Sequence, residues 1–205
     1  MKLYFNKFTR ATRVRWLVEE LGVPCEVVTV DMRAGEHKRP EYLAVHPLGK
    51  LPALVEDDGT ALIESTAIVL YLADRFADRG LAPGLADPRR GRYLQWAVYA
   101  QVTLESPLAT FAAHTSFLPE ERRVPALAEE ARTQFRTVLP PVEAVLGDGR
   151  PWILGESFTA ADVLIGSVLA WAARVGLCEG FPAATAYVAR VTARPAFAAS
   201  RRDPA

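Results

Sequence analysis

Leu51-Pro52 stands where a β-strand should begin, and a proline there restricts what the chain can build. Proline has no ladder donor, so within a sheet it belongs at an edge, at the first strand residue or at a bulge. The run Leu51-Pro52-Ala53-Leu54-Val55 carries the β signal, and the loop His46-Pro47-Leu48-Gly49-Lys50 leads into it. A cis X-Pro bond is a further way to place such a proline, at about 0.5–1 kcal/mol relative to trans. We expect Pro52 to be cis, with the backbone N–H and C=O of Leu51 facing a cleft. There they could pair with an extended peptide as an added strand.

A second tool follows the turn Glu56-Asp57-Asp58-Gly59 and a strand through Ala61-Leu62-Ile63. Glu64-Ser65 stands at the start of a helix whose residues Ile68, Tyr71, Leu72 and Phe76 share one face. Ser65 is the expected N-cap, and the free N–H groups and positive dipole end of a helix start favour an anion. Backbone pairing on one side and a carboxylate grip beside Glu64 on the other would hold a small, extended, charged peptide.

The order loop, proline, strand, turn, strand, Glu64-Ser65 resembles the glutathione-binding half of the cytosolic glutathione transferases, including bacterial-type members. Gly49-Lys50-Leu51-Pro52 alone is moderately specific; its pairing with Glu64-Ser65 and with a motif near Thr159 strengthens the match over nearly the whole chain. The resemblance implies a glutathione transferase that joins the glutathione thiolate to small apolar electrophiles. Adjacent readings are a glutathione-dependent isomerase or dehalogenase, and a glutathione-binding interaction module with little catalysis. It also implies glutathione as co-substrate, no metal, and a homodimer.

The rest of the chain reads consistently with that order. Lys2-Leu3-Tyr4-Phe5 is a first strand; Val14, Leu17, Val18 and Leu21 mark a helix face that Gly22 and Pro24 close. Cys25 to Val30 is a second, β-branched strand, and one short helix is expected around Glu41-Tyr42-Leu43. The resulting βαβ-ββα order is an α/β thioredoxin-like domain, assigned to residues 1–77. Residues 78–84 form a linker, and residues 88–205 read as an all-α helical bundle domain providing the second-substrate site. Tyr93, Trp96, Ala97, Ala100 and Leu104 give one long face, interrupted at Pro107; Leu127, Ala131, Phe135, Val138 and Val142 give another, which Pro140-Pro141 must kink or split. Phe158-Thr159-Ala160-Ala161-Asp162-Val163 is a capping box with Asp162 in place of glutamate, opening a largely apolar central helix. Asp162 is read as a cap, and the Ala-rich, Arg-dotted tail is expected to fray.

Composition bounds the remaining classes. Lys plus Arg and Asp plus Glu number 24 each, so no global charge favours nucleic acid. No apolar run approaches the roughly 20 residues of a membrane span. Cys25 and Cys178 lie far apart and in no metal-binding or CxxC spacing, which suits a reducing cytoplasm; both read as packing residues.

The chemistry turns on the thiol. The thiolate is the nucleophile, and an unperturbed thiol ionises at a pKa of about 8.5. The helix start near 9–13 can lower that value through its dipole. By resemblance, the position of the family's catalytic Ser falls on Thr9 and that of its catalytic Cys on Arg10, a departure from both residue types; Thr9 keeps a hydroxyl that could donate to the thiolate, and Arg10 could instead stabilise it by charge. Ser65 resembles the residue for the γ-glutamyl carboxylate, Glu64 that for its amino group, and Leu51, beside Pro52, the backbone partner of the cysteinyl moiety. Lys50 is the candidate for the glycyl carboxylate. Tyr93, Trp96, Tyr99, Phe111 and His114 are the candidate wall for the apolar substrate. His46 is expected to brace its loop, and His37 is given no role.

Overall fold

Among the described residues, four short strands form one mixed sheet in the order β2-β1-β3-β4. β1 (Lys2–Phe5) pairs in parallel with β2 (Glu26–Thr29) and antiparallel with β3 (Ala53–Val55), which pairs antiparallel with β4 (Ala61–Ile63). Alternation along β1 turns Leu3 and Phe5 inward, and Leu3 lies opposite Leu54. α1 (Ala11–Leu21) is the crossover between the parallel strands, and it ends on Gly22 at φ 62°, a left-handed conformation that glycine adopts freely. Val14, Leu17, Val18 and Leu21 are all buried, as their spacing predicts. α2 (Pro40–Leu43) is one turn long, and α3 (Ser65–Arg75) packs beside α1. The buried face of α3 is Ile68, Val69, Leu72 and Ala73; Tyr71, expected on it, is exposed.

These coordinates come from a computed structural model that describes residues 1–7 and 9–202. The chain divides into two units, one of Met1–Gly84 with Ala193–Ala205 and one of Leu85–Thr192. The helical unit therefore ends earlier than the expected 88–205. The last helix, α10 (Pro195–Ala199), packs on α1 of the first unit instead of fraying. Phe197 sets its ring edge-on to Trp16 at 4.9 Å, and Arg194 grips Glu20 with two hydrogen bonds of 2.6 Å. Residues 203–205 of the expected frayed tail lie outside the described residues.

In the second unit, α4 (Arg90–Val98) continues through a π-helical stretch, Tyr99–Leu104, into α5 (Glu105–Ala112), and a second π stretch follows, Ala113–Phe117. Pro107 does not interrupt this helix. A proline cannot donate to the turn before it, and the wider π turn just upstream accommodates the missing bond. Tyr93, Trp96, Ala97, Ala100 and Leu104 are buried on one face, as expected. Pro140-Pro141 splits the next segment into α6 (Pro125–Val138) and α7 (Pro140–Leu146), each proline taking a first-turn position where no donor is needed. Leu127, expected inside, is 41% exposed; Ala128 takes the buried position of that turn.

α8 (Ala160–Arg174) is the buried axis of this unit, and α9 (Pro182–Thr192) packs against it. Its capping box is present. Asp162 is fully buried and accepts from the N–H groups of Ile153 and Thr159, from the Thr159 hydroxyl, and from Tyr187 OH at 2.8 Å. Burial pushes its pKa up while those four bonds pull it down. The Glu143 carboxylate caps α9 by accepting from Ala183 and Ala184 at 2.9 and 2.8 Å.

Candidate active site

The loop before β3 is held from inside. Tyr42, the buried residue of α2, donates its hydroxyl to the Lys50 carbonyl at 2.5 Å and stacks on His46. His46 Nδ1 accepts from the Leu48 N–H at 3.3 Å, the loop-bracing role expected for it. The Gly49 N–H donates to the His46 carbonyl at 2.7 Å, and the Lys38 ammonium donates to the Leu48 carbonyl at 3.2 Å. Gly49 has φ 57°, and a Cβ there would stand 2.4 Å from the His37 carbonyl, so only glycine fits. Lys50 itself is exposed.

Beyond the loop, the Leu51–Pro52 bond is cis, as the sequence predicts. The β3 ladder begins at Ala53, which leaves the Leu51 N–H and C=O outside it. Across the β3–β4 hairpin, Glu64 takes φ 70° and ψ 106° and forms the turn out of β4. Glu64 is therefore the N-cap of α3 and makes no side-chain cap bond; Ser65, expected as the cap, is the first helical residue. The correction follows from the left-handed Glu64 backbone, which completes the turn one residue earlier. Ser65 is buried, with its hydroxyl at the end of the helix where backbone donors lack intrahelical partners. The two halves of the site sense each other. Burial lowers the His46 pKa first of all; the Glu64 carboxylate opposes that shift, and Lys50 and Lys38 reinforce it.

The turn before α1 is equally well tied. Asn6 Nδ2 donates to the Val30 carbonyl, and the Thr9 N–H donates back to the Asn6 carbonyl. The Thr9 hydroxyl also donates to the Asn6 carbonyl, at 2.7 Å, and accepts from the Ala11 N–H at 3.2 Å. A hydroxyl has a single proton, and here a carbonyl holds it. Arg10, the N-cap of α1, is exposed. Cys25 and Cys178 are free thiols, each pushed up to about 11 by burial, so neither is ionised at neutral pH.

The candidate wall belongs to the second unit. Tyr93, Trp96 and Phe111 are buried, the Tyr99 hydroxyl donates to the Val138 carbonyl, and His114 Nδ1 accepts from the Val124 N–H. Tyr42 and Lys38 are the residues that sequence reasoning missed at the loop. A lone aromatic on a one-turn helix and a lysine in a charged stretch carry no periodic signal.

Residues 1–74 match the family description "Glutathione S-transferase, N-terminal domain", and residues 106–195 match "Glutathione S-transferase, C-terminal domain". The chain belongs to the glutathione S-transferase family. It is 34% identical to the glutathione S-transferase GstA of Escherichia coli O157:H7 over 95% of this chain and 94% of the relative. Among solved structures it is similar to BphK, a bacterial GST in a ternary complex, with TM-score 0.86 and 29% identity over 98% of each chain. A Pseudomonas fluorescens family member with two glutathione bound gives TM-score 0.88 at 26% identity, over 99% of this chain and 92% of that one. As a member of this family, the protein is a transferase.

Proposed function

We propose that this glutathione S-transferase conjugates the glutathione thiolate to small apolar electrophiles, as a cytoplasmic detoxifying homodimer. The observation that carries the reading is the pairing of Leu51, outside the β3 ladder, with Glu64-Ser65 at the start of α3. The Leu51 backbone takes the cysteinyl moiety as an added strand. Ser65 and the start of α3 take the γ-glutamyl carboxylate, Glu64 the amino group, and Lys50 the glycyl carboxylate, with Lys38, which precedes α2 and reaches the Leu48 carbonyl, a second cation beside that loop. The electrophile would rest against Tyr99 and His114, the half-buried members of the expected wall; Tyr93, Trp96 and Phe111 are buried and serve as packing behind it.

Thiol activation falls to Arg10 and the start of α1. Thr9 braces the turn, because its proton is committed to Asn6. A cation within about 4–6 Å of a thiolate lowers its pKa by roughly 1–3 units, enough to ionise glutathione near neutral pH. The experiment is a thiolate titration of bound glutathione by ultraviolet absorbance, with calorimetric binding. Arg10→Met should raise the bound thiol pKa by about one unit or more and cut turnover at pH 7, with recovery at alkaline pH. Thr9→Val should leave that pKa in place. Ser65→Ala should instead weaken glutathione binding by the value of a hydrogen bond to a charged group, about 1.5–3 kcal/mol. A wild-type protein that binds glutathione yet leaves its thiol pKa at the aqueous value would sink the transferase reading in favour of a binding module.

Homodimer formation is supported by Leu94, Val98 and Val102, exposed at four-residue spacing along the helix that begins with α4. Val98 and Val102 are 55% and 63% exposed, an apolar stripe that a second copy would cover.

A further inference from the structure

The segment 194–202 is joined to α1 along the helix's length. At one end, Glu20 Oε1 and Oε2 accept from Arg194 Nε and Nη2, and Oε1 also accepts from Trp16 Nε1 at 2.8 Å. In the middle, Phe197 meets Trp16 edge-on, and the Arg201 guanidinium covers the Phe197 ring, 3.4 Å from its centroid. Nearer the amino end, Arg15 Nη1 donates to the Arg202 carbonyl at 2.5 Å. Arg15 is only 8% exposed, and its guanidinium lies 4.9 Å from the centre of the Phe5 ring. Phe5 precedes Asn6, whose carbonyl holds both the N–H and the hydroxyl of Thr9. An unbroken series of contacts thus runs from the tail carbonyl through Arg15 and Phe5 to the turn that carries Thr9 and Arg10.

We propose that the C-terminal segment is a positioning element of the glutathione site, with Arg194, Phe197 and Arg15 as positioning residues that fix Asn6, Thr9 and Arg10 through α1 and Phe5. The inference rests on the reading that glutathione binds beside that turn. Docking of the tail and binding of glutathione then favour each other. Linkage makes the effect reciprocal: the factor by which an undocked tail weakens glutathione is the factor by which glutathione suppresses undocking.

The test uses the full-length protein. Arg194→Ala and Phe197→Ala should each raise the glutathione Kd about fivefold or more, the lower end of ordinary coupling between sites. Both should also raise the bound thiol pKa, a readout that a loss of stability alone does not move. Arg194→Lys, which keeps a cation opposite Glu20, should recover part of the affinity. In the wild-type protein, trypsin cleavage after Arg201, followed by intact mass, should slow when saturating glutathione is added, because cleavage tracks the population of the open tail. Variants that lose thermal stability but keep the wild-type Kd and thiol pKa overturn the proposal, as does cleavage at one rate with and without glutathione. Should the substituted proteins fail to fold, the wild-type cleavage rates decide alone. A wild-type protein with no glutathione affinity would overturn the functional reading and this inference together. Affinity that is present but indifferent to the tail overturns this inference only.

Discussion

At the scale of single residues, the site depends on groups whose polar atoms are already spoken for. Thr9 shows this most plainly: position on the chain offers it to a thiolate, and the Asn6 carbonyl takes its proton. His46 shows the same thing with a consequence for pH. Its Nδ1 accepts the Leu48 N–H, so the ring must be neutral to brace the loop, and burial lowers its pKa below the ordinary value of about 6.5. As pH falls below about 6.5 the unfolded chain binds a proton at this residue while the folded chain does not, so stability is lost toward acid until the folded pKa is reached. Asparagine can accept the same bond and does not titrate. Urea unfolding of His46→Asn across pH 5 to 7.5 should therefore give a shallower acid slope than wild type. An identical slope in the two proteins would remove His46 from the pH dependence.

Elements were legible where their signal is local. The βαβ-ββα order, the Gly22 stop and the Thr159–Asp162 box all depend on residues within a few positions of one another, and all are present. Buried Asp162 extends its box into a tertiary joint: besides Thr159 it serves the Ile153 N–H and Tyr187 OH. Asp162→Ala would orphan those buried donors, each costing about 1–3 kcal/mol. We expect Asp162→Ala to lose about 3 kcal/mol or more in denaturant unfolding, while Thr159→Ala loses about 1 kcal/mol, the value of a cap. Equal small losses would make Asp162 a cap and nothing further. Less legible were the π turn ahead of Pro107 and the left-handed Glu64. Both are backbone adjustments forced by neighbours, and neither residue type announces them.

At the scale of the molecule, the largest departure from the sequence reading is the tail. Arg194 and Glu20 stand 174 residues apart, and nothing periodic in an Ala- and Arg-rich stretch reports a partner at that distance. The site loop was readable because proline, glycine and the Glu64-Ser65 pair sit close in sequence; its support Tyr42 was not, and neither was the tail's hold on α1, because each acts through a tertiary contact.

Assembly belongs to the same scale. Val98 and Val102 lie on the exposed side of a helix whose opposite side, Trp96, Ala97 and Ala100, is buried within the chain. Burying a valine side chain is worth about 1.5 kcal/mol or more, and placing a carboxylate in an apolar contact costs further. Val98→Asp combined with Val102→Asp should therefore shift a homodimer to monomer in sedimentation velocity at micromolar concentration. Both positions are exposed within one chain, so surface substitution should leave the melting temperature of the separated protomer nearly unchanged. A wild-type protein that sediments as a monomer would remove the dimer. A dimer that survives both substitutions would place its interface elsewhere.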